Sequence, residues 1–202
     1  MERFFRALLL WITLPFVYWK ASLTIIILAV ACIFCNSTKG SNEPSRDVPQ
    51  LIVNDLTEAF KTGIDKQQPN RYIVIHHTAS NGDNRISDIA RIHLGERQWS
   101  KVAYHYFIDK NNQVWQFLPE TESAPNAYHR NNDAVAICIA GNFSEKQVPD
   151  STLQVLADLC RIVMARNNIT PDNVVRHRDV PDNPTECCGS NFNIVKFRKM
   201  LY

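Results

Sequence analysis

Two adjacent histidines close the apolar run in Arg71-Tyr-Ile-Val-Ile-His-His-Thr-Ala-Ser80, and much later Val174-Val-Arg-His-Arg-Asp-Val180 ends another such run in a histidine. Thr185-Glu-Cys-Cys-Gly189 follows closely. Imidazole nitrogen and thiolate sulfur are the donors of tetrahedral zinc, and a site with three protein ligands keeps its fourth position open. A water at that position is acidified toward neutrality and becomes a nucleophile. The chemistry that these residue types can do together is hydrolysis at zinc.

Each piece leaves a choice open. Side chains alternate across a strand, so only one of His76 and His77 points into a given site; the phase of Val74 leans toward His76. Cys187 and Cys188 compete for the third ligand, because a thiolate persists at neutral pH only beside a metal or a cation. Read without the histidines, that pair would be a vicinal disulfide or a redox couple. Tyr104, in Tyr104-His-Tyr106, offers a hydroxyl whose proton affinity a metal can shift, although aromatics in a strand usually serve the core. His77, His105 and His129 are candidate contacts to substrate or to the outer side of the metal ligands. Trp99 and Trp115 either pack or line a groove.

The elements that must position these residues follow from periodicity. Ile52, Val53, Leu56, Ala59 and Phe60 have helical spacing. Ile73 to Ile75 reads as a buried strand. Ile86 to Gly95 reads as a helix with Ile86, Ile89, Ala90, His93 and Leu94 on one face and Gly95 as its stop. Val102 to Ile108 is an aromatic strand, Asp109-Lys-Asn-Asn112 a turn, and Gln113 to Leu118 the returning strand of a hairpin. Ala134 to Ala140 is a further strand. Pro149-Asp-Ser-Thr152 opens a helix through Leu153, Leu156, Leu159, Cys160 and Val163. Val174-Val175 is a short strand, and Phe192 to Leu201 a final helix. Strands alternating with helices give a mixed α/β layer structure.

The 202 residues divide into three segments. Leu8 to Trp19 and Ala21 to Cys35 are apolar runs broken by Lys20. Together they suit a membrane anchor, and the second alone suits a signal h-region. Arg3, Arg6 and Lys20 precede the longest apolar block, so the rest of the chain is expected outside the cytoplasm, periplasmic or at the cell surface. Leu28-Ala-Val-Ala-Cys32 offers the alternative of a lipoprotein signal with Cys32 lipidated. Residues 36–50 are rich in Ser, Asn, Gly and Pro and read as a polar linker. Residues 51–202 are enough for one domain with one core.

A net charge of +2 argues neither for nucleic acid nor for any strongly charged partner, and none is expected; no phosphate-binding glycine loop is present. The six cysteines form no dense disulfide framework. Cys138 and Cys160 are either bridged or, as small buried residues, free.

With these residues in hand, the chain from about residue 70 to 200 resembles the zinc amidases of peptidoglycan, a family that includes phage amidase-type lysozymes and the peptidoglycan recognition proteins of animals. Ile75-His-His-Thr-Ala79 matches the family's first ligand motif. Ala103-Tyr-His-Tyr-Phe-Ile108 matches the strand with its catalytic tyrosine, and Ala134-Val-Ala-Ile-Cys-Ile-Ala-Gly-Asn-Phe143 its central strand and Gly-Asn-Phe turn. His177-Arg-Asp179 matches the second ligand. Thr185-Glu-Cys187 followed by Gly189 matches the third-ligand loop, with Cys188 in place of the usual proline.

The resemblance implies a central mixed sheet flanked by helices, and zinc held by His76, His177 and Cys187. It also implies Tyr104 and Thr185 as catalytic residues. Cys138 stands where the branch that recycles cell-wall fragments carries a catalytic glutamate, and Cys187 replaces that branch's aspartate ligand. Both place the chain in the tyrosine branch. The implied activity is cleavage of the amide between N-acetylmuramic acid and L-alanine of peptidoglycan. Two other classes compete: a non-catalytic muropeptide-binding module, and a redox or metal-storage protein resting on Cys187-Cys188 alone.

Overall fold

The computed structural model describes residues 51–82 and 85–202; the expected membrane segment 1–35 and linker 36–50 lie outside the described residues. Six strands form: β1 (Val53–Asp55), β2 (Tyr72–His77), β3 (Tyr106–Ile108), β4 (Val114–Gln116), β5 (Ala134–Ile139) and β6 (Val174–Arg176). They join in one sheet of order β1-β4-β3-β5-β2-β6. The β3–β4 hairpin is antiparallel and the other pairings are parallel, so the sheet is mixed. β2 and β5 lie inside the sheet and are buried along nearly their whole length, which is why their sequences are continuously apolar rather than alternating.

The two faces are covered differently. Ile73, Ile75, Val135, Ile137 and Ile139 share a core with Leu156, Leu159, Cys160 and Val163 of helix α3 (Asp150–Asn167). The helical spacing of those α3 residues is the stripe that a helix lays on a sheet. Helix α4 (Ile194–Arg198) adds Phe197 to the same core. The opposite face carries Val74 against Ala127 and Val180, and Phe107 and Cys138 against Ile89. Ile89 comes from helix α2 (Ile86–Ala90), which runs on into a wider π-helical turn, Arg91–Glu96. Loops rather than a long helix cover this second face, and the candidate site lies among them.

Two expectations need correction, and one open alternative is decided. The spacing over Leu51–Phe60 predicted one helix; instead β1 pairs with β4, and only Thr57–Phe60 (α1) is helical. Asp55 accepts the Thr57 N–H at 2.8 Å, so a turn residue divides the segment. The aromatic strand is regular only from Tyr106. Before it, the His105 carbonyl accepts from both Phe117 and Leu118, a bulge-like irregularity that ends the ladder. Cys138 and Cys160 are free and lie in different cores on opposite faces of the sheet, so no bridge joins them. Among the described residues no helix is long and apolar enough to cross a membrane.

Candidate metal centre

His76 is the fifth residue of β2 and faces away from α3. The register sets Cys138 of β5 beside it on one side. On the other side Ile75 pairs with Arg176, so His177 leaves β6 next to His76, and the two imidazoles stand 4.6 Å apart between centroids. The loop after β6 brings Cys187 to them. Its Sγ lies 3.7 Å from His76 Nδ1, and its carbonyl accepts the Arg178 N–H at 2.6 Å. One donor atom from each of His76, His177 and Cys187 lies within 4.8 Å of the others.

Cys188 is fully buried in the α3 core together with Phe192, and Cys187 is only partly buried at its margin. The peptide between the two cysteines is cis. The strand alternation also separates the two histidines. His77 faces the α3 side, where its Nδ1 accepts the Phe143 N–H at 3.1 Å, and its own backbone N–H points at Cys187 Sγ at 3.4 Å. Its ring therefore holds the Gly-Asn-Phe turn instead of joining the metal group. That turn presses on the cysteine loop at Gly189, where φ is +88° and a methyl group would sit 2.2 Å from the Phe143 carbonyl carbon. Only glycine allows that approach.

The electrostatics fit a cation. Burial, and then the neighbouring His177 ring, lowers the proton affinity of His76 well below that of a free imidazole. Burial does the same to His177, partly offset by its hydrogen bond to Asn183. Both rings thus stay neutral, the form that ligates. Burial pushes the Cys187 thiol up to about 11, against the pull of the His77 N–H. Two imidazoles and a thiol converge, and a soft cation of the zinc type is what such a donor set suits.

Tyr104 lies beside this group, its ring 5.4 Å from that of His76 and 5.2 Å edge-on from that of His93. Burial, then the adjacent Cys138 thiol, holds its hydroxyl pKa well above the usual value, so the group is a hydrogen-bond donor. Thr185 Oγ1 accepts the Cys187 N–H at 3.2 Å and keeps its own proton for another partner.

The remaining candidates lie elsewhere. His105 is enclosed in the core, with Nε2 on the Glu122 carbonyl at 2.8 Å and Nδ1 accepting from Ala136 at 2.9 Å; both nitrogens are spent on backbone, so nothing is offered to a substrate. The ring of His129 is exposed against Tyr128 and 3.5 Å from Asp182. Trp99 stacks on His93 with Arg97 over its other side, whereas Trp115 ties down Asp109 on the hairpin.

Sequence reasoning missed three residues. His93 was assigned to a helical face, yet it accepts the Ala103 N–H and buttresses Tyr104. Asn183 Oδ1 lies 3.2 Å from His177 Nε2, and Asn126, next to an alanine that packs against Val74, is buried with an unpartnered side-chain oxygen. No motif marks an asparagine in a loop, and only their proximity to the site reveals them.

Known proteins show the family and the fold. The family model described as N-acetylmuramoyl-L-alanine amidase matches residues 66–190. The solved amidase LysC of Clostridium intestinale is 31% identical, with a TM-score of 0.66 over 74% of this chain and 97% of its own. The endolysin amidase LysCS of the same organism is 30% identical, with a TM-score of 0.68 over 76% and 97%. Mouse peptidoglycan recognition protein 3 is 23% identical over 80% of this chain, which spans 49% of that protein's length.

Proposed function

From its place in the N-acetylmuramoyl-L-alanine amidase family, to which the chain belongs, we propose that it is a zinc hydrolase of peptidoglycan. The bond cleaved is the amide between the lactyl group of N-acetylmuramic acid and L-alanine of the stem peptide. The observation that carries this reading is the convergence of His76, His177 and Cys187 within 4.8 Å, beside a buried tyrosine hydroxyl.

Zinc held by those three residues supplies electrophilic assistance to the amide carbonyl and activates water at neutral pH. The chain's own residues do the rest. His76 and His177 remain neutral because they are buried, so the donor set is ready without prior loss of protons from the rings. The Cys187 thiol gives up its proton on binding, and the His77 N–H then points at the resulting sulfur anion. Tyr104 stays protonated and donates to the oxygen that gains negative charge as the carbonyl becomes tetrahedral. The Thr185 hydroxyl, oriented by the Cys187 N–H, donates a second hydrogen bond to that oxygen.

A module that only binds muropeptide needs neither a third metal ligand nor the tyrosine. The presence of Cys187 and Tyr104 together supports the enzyme over the binder, and over a redox role for Cys187-Cys188, of which Cys188 is enclosed in the core. Incubation with purified peptidoglycan, with and without chelator, and mass analysis of the products tests the reading. Release of free stem peptide that stops on chelation is expected. Intact muropeptide bound without cleavage would establish the module instead.

The apolar residues 8–35 and the linker 36–50 support a tether that holds the domain at a membrane on its extracytoplasmic side. Recovery of the unprocessed chain in the soluble cytoplasmic fraction would defeat this placement, and lipid on Cys32 would convert the anchor to a lipoprotein.

A further inference from the structure

The two ligand histidines are backed by two asparagines on connected loops. In His177, Nε2 lies 3.2 Å from Asn183 Oδ1. The orientation of that carboxamide is set by its other bonds: Oδ1 accepts the Tyr128 N–H at 2.8 Å, and Nδ2 donates to the carbonyls of Tyr128 and Pro181 at 3.0 and 2.8 Å. The atom facing the ring is therefore an acceptor, so Nε2 carries the proton and Nδ1 keeps its lone pair.

His76 has the same problem in a drier place. Its Nδ1 faces Cys187, and its Nε2 is buried without a hydrogen-bond partner. Asn126 Oδ1 is likewise buried and unpartnered, one of only three such side-chain atoms among the described residues. Asn126 Nδ2 is committed to the Ala124 carbonyl at 3.0 Å, and its backbone N–H to Asn131 Oδ1 at 3.0 Å, which leaves the oxygen as the open end. Ala127, the next residue, packs against Val74, which shares a face of β2 with His76. Two buried orphans, one able to donate and one able only to accept, each cost free energy until they pair.

We infer that Asn126 Oδ1 accepts the Nε2–H of His76, and that Asn126 and Asn183 together hold both imidazoles in the tautomer that presents Nδ1 to the metal. Both asparagines depend on one segment, 124–131, which carries Asn126 directly and holds Asn183 through the backbone of Tyr128. They are positioning residues: they touch the ligands, not the substrate, and they set how tightly zinc is held. The inference rests on the reading of zinc at His76, His177 and Cys187.

The test uses the full 202-residue chain in detergent, as wild type, Asn126→Leu and Asn126→Asp. Both variants lose the donor to Ala124, so that loss cancels between them, and only the aspartate keeps an acceptor for His76. Zinc affinity is read by competition with a chromophoric chelator. The tautomer is read from the ring nitrogen shifts of His76 in metal-free protein. Expected are an Nε2–H ring in wild type and Asn126→Asp, and a mixed tautomer with ~10–100-fold weaker zinc binding in Asn126→Leu. If leucine is not accommodated, Asn126→Ala repeats the measurement without bulk. Wild-type affinity together with an unchanged Nε2–H ring in the leucine or alanine variant overturns the inference. Failure of the wild type to take up zinc would instead overturn the metal-site reading, and the nitrogen shifts would still decide the role of Asn126.

Discussion

At the opening ends of β3 and β5, Lys66 Nζ donates to Asn70 Oδ1, the Glu120 carbonyl and the Ala134 carbonyl at 2.5–2.8 Å. The Glu120 carboxylate accepts from Tyr106 Oη at 2.7 Å and Asn167 Nδ2 at 2.5 Å. At the closing end of β2, on the other face, His76, His177 and Cys187 converge with His76 Nε2 unpartnered. Both clusters are polar and set against apolar packing. In the first, each donor meets an acceptor, as buried polar groups in a structural role must. In the second, two imidazoles and one thiol converge with a single thiol proton among them, a donor set that a soft cation would complete. A cavity of about 690 Å³ opens beside the Lys66 cluster, but the groups of that cluster already satisfy each other. Bonding saturation, rather than the size of a hollow, separates scaffold from site here.

The sharpest break of this comparison is Cys187→Ser, which should abolish both zinc binding and amidase turnover, while Cys188→Ser keeps both. Metal content and product analysis check it. Zinc retained in Cys187→Ser and lost in Cys188→Ser would shift the third ligand by one residue. Tyr104→Phe comes next: with one hydroxyl removed and volume kept, zinc should stay while the rate falls by ~10²–10³. Turnover at the wild-type rate would remove Tyr104 from the chemistry.

On the saturated side, Lys66→Met leaves three acceptors without their donor and should cost on the order of 2–4 kcal/mol of stability. Zinc affinity should be unchanged, as read by denaturant titration alongside metal binding. A variant of wild-type stability would mean that the cluster contributes nothing to the fold.

The remaining test is a pH dependence at His105, which belongs to the saturated kind. Its Nδ1 accepts from Ala136, so a proton there would set donor against donor. Burial, then the charge of Lys66, lowers its pKa to about 3 from an ordinary 6.5. Between those values the unfolded chain binds more protons than the folded one, so stability is full above 6.5 and is lost as pH falls toward 3. That single group contributes a slope of up to about 1.4 kcal/mol per pH unit across the window. His105→Gln should flatten the acid limb of stability against pH by that amount, and an unchanged slope would show that the ring is already protonated in the folded state.

How far the sequence carried this comparison differs between its halves. The strands β2 and β5 were legible because sheet neighbours on both sides demand continuous apolar runs. The helix α3 was legible because its buried stripe has helical period. The segment at Leu51–Phe60 was not, since a helical spacing of apolar residues over so few positions also fits a strand, a turn and one helical turn. Pairing with β4 made the choice. The motifs around His76, Tyr104, His177 and Cys187 stood out because their residue types are unusual together. His93, Asn126 and Asn183 did not, because nothing in their neighbours sets them apart from residues of helix and loop.

The chain order of amino acids by itself determined the donor set: two imidazoles and a thiol at the ends of short elements, a tyrosine on an aromatic strand, and a threonine two residues before the cysteine. It left open which member of each adjacent pair, His76 or His77 and Cys187 or Cys188, faces the others. The tertiary structure decided that, because facing is a property of packing. Cys188 is enclosed in the α3 core and His77 binds the Phe143 turn there, whereas His76 and the half-buried Cys187 meet in the candidate metal group. The outer partners of the ligands were decided there too. A loop distant in sequence lies behind His76 only once β5 and β6 flank β2, and no local pattern records which buried acceptor will face which buried ring.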